Sequence, residues 1–202
     1  MNKKDFINKI WNYYLMIEED FVETLKYVEP CEDNYKTYSK KYNSLLLSIC
    51  SEIDVICKVL CKNIDSSLSY NNITAYRKLL KNYNNFPNQS CTFNRMDKKI
   101  IPWLTWNNDK NPQWWKDYNK LKHNRLADDN DTKGNFFNVL CSLAAYYILC
   151  MILYREFFKY EPKKKSLIFE MTNWPDFLIY DDDNAYIWNE PELPDEFYGS
   201  VE

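Results

Sequence analysis

Glycine is nearly absent from this chain: 202 residues contain two, Gly134 and Gly199. Tight-turned all-β folds and glycine-rich phosphate loops both need several residues with glycine's backbone freedom, so the composition argues against the first and excludes the second. Histidine is scarcer still, with His123 alone. One imidazole, and seven cysteines of which no two are spaced as CxxC, supply too few ligands for a zinc site, so neither a structural metal nor a cofactor is expected. The N-terminal MNKKDFINKIWNYY is charged and amphipathic where a secretory leader would run apolar, so no signal peptide is expected. Positive charge is missing from the C-terminal end. All 26 basic residues lie in residues 1–165 together with 19 of the 29 acidic ones, which leaves a body near +7 and a tail near −10.

What remains abundant is aromatic and aliphatic. Seventeen Tyr, eleven Phe and seven Trp contribute to a 46% hydrophobic chain, enough for one well-buried core and too short for two ordinary domains by default. Cys50, Cys57 and Cys61 fall on one helical face and read as small buried hydrophobes of a reducing cytoplasm. The run FFNVLCSLAAYYILCMILY, from Phe136 to Tyr154, is long enough to span a bilayer. A helix apolar all round is equally one buried in protein. Asn138, Ser142 and three tyrosines weaken the membrane reading, and a central core helix with no membrane partner is expected.

Apolar spacing of three and four predicts helices over about 3–27, stopped by Pro30, about 34–64, 73–83, 114–126, and 136 to about 160. Residues 84–112 are the least regular part, with a short extended candidate around Ile100 to Leu104. Beyond the last helix SLIFEM reads as a strand, and FLIY and AYIW as a hairpin around DDDN. The expected fold is all-α: an antiparallel bundle of about five helices over residues 1–165, with a small β-rich acidic element over 166–202.

One stretch carries candidate chemistry. In WWKDYNKLKHNR, residues 114–125, Lys116, Asn119, Lys120 and His123 recur at helical spacing and share one face, while Trp114, Tyr118, Leu121 and Arg125 share another. An amide and an imidazole one turn apart, beside two ammonium groups, suit a phosphate and a proton transfer. Taken by itself, a lone histidine on a Lys-rich helix is a solvated surface residue. Trp103, Trp106, Trp114 and Trp115 likewise read as packing before they read as a stacking platform for bases.

The segment PQWWKDYNKLKHNR and the apolar helix after it resemble a branch of the HEPN superfamily of nucleotide-binding helical proteins, closest to the AbiV-like abortive-infection group. The segment SLLLSICSEIDVICKVLCK, with Glu52 and Asp54, is similar to the earlier long helix of that family. The likeness covers roughly residues 40–160. It implies a cytoplasmic phage-defence effector, a metal-independent endoribonuclease or RNA-targeting toxin. Its alternative is a non-catalytic module that binds RNA or a protein.

On that resemblance His123, Asn119 and Arg125 are the catalytic candidates, and Lys116, Lys120, Lys122 and Tyr118 the substrate-binding ones. It further implies a homodimer whose paired motifs build one cleft, and a phage protein or antitoxin as regulator. The sequence departs from the family at one point: Tyr118 stands where its motif arginine would be. A phenol supplies one neutral donor in place of a bidentate cation. Arg125 replaces that arginine only where the helix ends, or in the cleft of a second protomer.

Overall fold

The computed structural model describes residues 1–67, 69–158 and 165–172. It is mainly helical, with one small antiparallel sheet. Helix α1 spans residues 3–24 as one run, α-helical except for a π segment at Ile7–Trp11. Helices α2 (Lys40–Ile64), α3 (Ile73–Leu80), α4 (Gln113–Asn124) and α5 (Phe136–Phe158) follow. Asn2, Ser39 and Asn72 begin the first three of these five, each side-chain oxygen accepting the backbone N–H three residues on.

Three ends differ from the periodicity, each for a local reason. Helix α1 stops at Thr24 before reaching Tyr27, because the Tyr27 and Val28 N–H groups both turn back onto the Thr24 carbonyl. Helix α2 begins at Lys40, six residues later than the apolar pattern suggests: Tyr38 is drawn out to bridge Asn135, and Ser39 then caps. Helix α3 ends at Leu80, and Asn84 and Asn85 reverse the chain with φ of 43° and 54°, a region asparagine tolerates better than most residues.

The stretch 84–112 is more ordered than its composition suggests. Strand β1 (Cys91–Phe93) pairs with β2 (Lys98–Ile100), flanked by 3₁₀ turns at Phe86–Asn88 and Leu104–Asn108. The extended candidate at Ile100 to Leu104 is thus displaced: the strand lies just before it, and Leu104 opens a turn. Strand β3 (Phe169–Met171), within SLIFEM, adds to the other side of β1, giving the order β2-β1-β3. Cys91 lies opposite Ile100 on one side and Met171 on the other. Two strands of the sheet therefore come from mid-chain, where the sequence had suggested one short extended segment, and they pair with the first strand of the expected C-terminal β element. The expected hairpin around DDDN lies outside the described residues.

Helix α5 is the centre. Of its most apolar stretch of 18 residues, 89% is buried inside the protein. Helix α2 lies along it, with Leu46, Ile49, Cys50, Ile53, Cys57 and Leu60 wholly buried. The seven cysteines are free thiols, six of them buried. Burial alone pushes Cys50 well up and Cys61 to about 12, so these thiols stay protonated and pack as hydrophobes.

Two polar features fix the frame. Gly134 approaches α2 so closely that a Cβ would lie 2.6 Å from the Asn43 Cα and 1.9 Å from its Oδ1. At the other end the Glu18 carboxylate, fully buried, accepts from the Tyr14 phenol at 2.6 Å, the Leu167 N–H at 2.8 Å and the Ser166 hydroxyl. Burial, then Glu18 itself, holds the Tyr14 phenol well above its ordinary pKa. This cluster ties α1 to the chain just before β3, where Phe169 packs 5.7 Å from Tyr147 and 5.8 Å from Phe93, centroid to centroid. The first residues of the acidic extension are in this way built into the body.

Candidate nucleic-acid interface

Helix α4 starts directly after Pro112, whose ring holds φ at −56°. Its inner stripe is Trp114, Trp115, Tyr118 and Leu121, all buried. Trp114 meets Trp103 edge-on at 5.1 Å, Trp103 lies 4.5 Å from Trp106, and Phe86 packs about both at 5.5 and 5.4 Å. The Trp114 indole N–H donates to the Pro102 carbonyl at 3.2 Å. Buried and ring-packed, these tryptophans hold α4 and the 86–108 segment to the core and leave no face open for a stacked base.

Asp117 belongs to the buried side although it is charged. Its Oδ1 accepts from the Gln113 side chain at 3.0 Å and its Oδ2 from the Asn138 side chain at 3.1 Å. The same Asn138 amide donates to the Lys133 carbonyl at 2.9 Å, and its N–H is capped by Asn135. No cation pairs with Asp117 among the described residues. Neutral donors alone satisfy this carboxylate, and they lock the orientation of α4 against α5. From spacing alone Asp117 reads as one more solvated charge. Its signals were present in the Gln113/Asp117 spacing of four and the one asparagine inside an apolar helix.

The exposed side of α4 and its C-terminal end are rich in basic residues. Lys116, Lys120, Lys122, His123 and Arg125 are all exposed, and none makes an ion pair among the described residues. Lys122 holds its ammonium 5.5 Å above the Tyr118 ring. Lys116, Lys120 and His123 thus share one face of α4 without local ion pairing, Lys122 and Arg125 lie round its other sides, and the exposed acids Asp128, Asp129 and Asp131 follow in the next loop.

The candidate site residues separate into three placements. Asn119 and His123 sit one turn apart on the same face, but the Asn119 amide donates to the Trp115 carbonyl at 2.9 Å, leaving its Oδ1 as the free end. Tyr118 is 5% exposed and packs 5.1 Å from Trp115. As a substrate contact it is displaced by its own packing: the protomer offers a ligand no more than its rim. Arg125 follows the last helical residue yet keeps αR angles, φ −54° and ψ −35°, so its Cβ continues the helical register about 200° round from His123. One protomer does not bring Arg125 and His123 together.

The acidic pair of α2 is likewise divided. Asp54 accepts from the Tyr76 phenol at 2.7 Å and from Lys58 at 2.5 Å on the flank facing α3. Glu52, two residues before it, lies on the opposite flank.

No known protein family, curated protein or solved structure matches the chain. The HEPN resemblance rests on its residues alone. Among the described residues, no three His, Cys, Asp or Glu side chains are grouped as a metal site would need.

Proposed function

We propose that this protein is an RNA-targeting phage-defence effector of HEPN-like organisation, with the outer face of α4 as its RNA contact. The observation that carries the reading is the face of α4 on which Lys116, Lys120 and His123 stand exposed with no ion pair among the described residues, beside the exposed Lys122. Such a surface attracts a phosphate backbone in proportion to the counterions it releases. Cleavage in this reading takes place where two copies bring their α4 helices together. There the 2′-oxygen attacks the adjacent phosphorus, the P–O5′ bond breaks, and a 2′,3′-cyclic phosphate and a 5′-hydroxyl form. His123 takes the 2′-hydroxyl proton or delivers one to the 5′-oxygen, with Asn119 Oδ1 orienting and Arg125 from the second copy balancing charge.

Incubation of the purified protein with single-stranded RNA tests the catalytic claim. Cyclic-phosphate products that vanish in His123→Ala are expected; intact RNA, or unchanged cleavage by that variant, sinks it. A second reading, a module that binds RNA without cutting, is favoured by specific observations. Tyr118 in the place of the motif arginine is core, and the Asn119 amide is spent on its own helix. Binding without cleavage, weakened by Lys116→Ala/Lys120→Ala and by salt but indifferent to His123→Ala, selects that reading.

A further inference from the structure

The rings of α4 are buried, but those just beyond its seam with α5 are not. Residues 35–39 run antiparallel beside 134–137: the Phe136 N–H donates to the Thr37 carbonyl at 2.8 Å, the Phe137 N–H to the Tyr35 carbonyl at 3.2 Å, and Tyr38 bridges Asn135. Tyr38 and Phe137 emerge from this crossing 55% and 41% exposed. Tyr35 backs Phe137, centroids 4.6 Å apart, and lies 6.2 Å from the wholly buried Phe136, so the ledge is fixed to the core. The Lys98 ammonium stands 5.2 Å from the Tyr35 centroid and pairs with Glu32. Three further cations border the rings: Lys36 and Lys40, exposed, and Lys133, half-buried, none of them in an ion pair among the described residues. These lysines outnumber the exposed acids within two residues of them or of the rings, which are Asp33 and Asp131.

The step from this ledge to α4 is short. Asn138, the residue after Phe137, donates to Asp117 at 3.1 Å, and Lys120 stands about 60° round α4 from Asp117, on the exposed side. One exposed ring is ordinary on a protein surface; two rings bordered by three unpaired lysines are the combination that single-strand binding uses. Every base has a π face that an exposed ring can stack, while a lysine meets only the phosphate backbone. A duplex keeps those faces inside and offers the rings nothing. We infer, on the RNA reading of α4, that Phe137 with its backing Tyr35, and Tyr38, form a stacking ledge for the unpaired bases of single-stranded RNA. Lys36, Lys40 and Lys133 hold the backbone of that strand, and its path continues over the α4–α5 seam to Lys120. Stacking tolerates any base, so the ledge selects unpaired strand over duplex without choosing a sequence. The tryptophans around α4 hold the fold, and the rings that meet the strand are Tyr38 and Phe137.

The test uses the full-length protein and fluorescence anisotropy with two labelled strands of equal charge: a 2′-O-methyl oligouridylate, which has no free 2′-hydroxyl to attack, and an abasic strand. The base-bearing strand is expected to bind about tenfold more tightly, the effect of stacking one base. Phe137→Ala and Tyr38→Ala each remove about that factor from the oligouridylate and leave the abasic strand unchanged, while Tyr38→Phe, which keeps a ring, binds as wild type. Thermal melts confirm that each variant is folded. Lys116→Ala/Lys120→Ala separates the two readings: if it binds as wild type while Phe137→Ala does not, the α4 contact fails and the ledge stands. Equal binding of the two strands, binding of neither, or an oligouridylate affinity untouched by Phe137→Ala and Tyr38→Ala overturns the proposal. So does a protein that sediments as a dimer and becomes monomeric in Phe137→Asp, since the rings then belong to a second copy.

Discussion

Ser166→Ala removes one hydroxyl from a carboxylate that no cation pairs with among the described residues. Glu18 is fully buried and accepts from three donors, the Tyr14 phenol, the Ser166 hydroxyl and the Leu167 N–H. The same Ser166 oxygen accepts from the Phe169 N–H at 2.9 Å, which starts the turn into β3. A hydrogen bond to an ionised group contributes about 1.5–3 kcal/mol and a neutral one about 1 kcal/mol. Losing both costs about 2.5–4 kcal/mol, less what the Tyr14 hydroxyl recovers by moving from its 3.3 Å contact with Ser166 fully onto Glu18. A net loss of about 2–3 kcal/mol corresponds to a melting shift of about 4–12 °C in a chain of this size. Differential scanning calorimetry measures it, with Leu167→Ala as control; that side chain is 59% exposed and its loss stays within about 0.5 kcal/mol. Native-state hydrogen exchange adds a local readout, the Leu167 amide exchanging faster in Ser166→Ala. A Ser166→Ala protein melting within about 1 °C of wild type would refute the account of Glu18 as an anchored buried acid.

Gly134→Ala puts a methyl within 2.6 Å of the Asn43 backbone, so α2 or the α5 approach must shift; a loss of about 2–4 kcal/mol in urea unfolding is expected. Asp117→Ala leaves the Gln113 and Asn138 amides short of an acceptor and loosens α4, at a cost of about 1–3 kcal/mol by the same measurement. His123→Ala, exposed, changes stability by less than about 0.5 kcal/mol, which separates loss of RNA chemistry from loss of fold. Alkaline pH destabilises the protein. Burial raises the Cys50, Cys57, Cys150 and Tyr14 values above those of the unfolded chain, so stability is fully present below the unfolded thiol pKa. It falls above that value by up to about 1.4 kcal/mol per pH unit for each group, as the unfolded state alone loses protons; a flat urea midpoint from pH 8 to 10.5 contradicts the assignment.

The helices were legible because burial on one side of a helix prints directly into spacing: Leu45, Leu46, Ile49, Cys50, Ile53 and Ile56 could hardly belong to anything else. The exposure of Lys116, Lys120 and His123 followed from the same wheel, as did the burial of Trp114 and Leu121. What was illegible depends on partners far away in the chain. Strands of three residues carry too few alternations to register, and β1 is defined by a neighbour some eighty residues later. Glu18 and Asp117 look like solvated charges until the donors from Ser166, Leu167 and Asn138 arrive. The late start of α2 is set by Tyr38 meeting Asn135, a pairing with no local trace.

Strand order also sets an order in time. The β1–β2 hairpin closes a few residues apart and forms early, whereas β3 must search for β1 across the whole of α4 and α5. Loop closure over such a span is slow, so β3 arrives last, and until it does Phe93 and Tyr147 lack the Phe169 ring that covers them. By the same geometry it leaves first. A force drawing the chain from beyond Thr172 would strip one short strand and its Glu18 anchor before reaching any helix, giving the molecule a mechanical fuse.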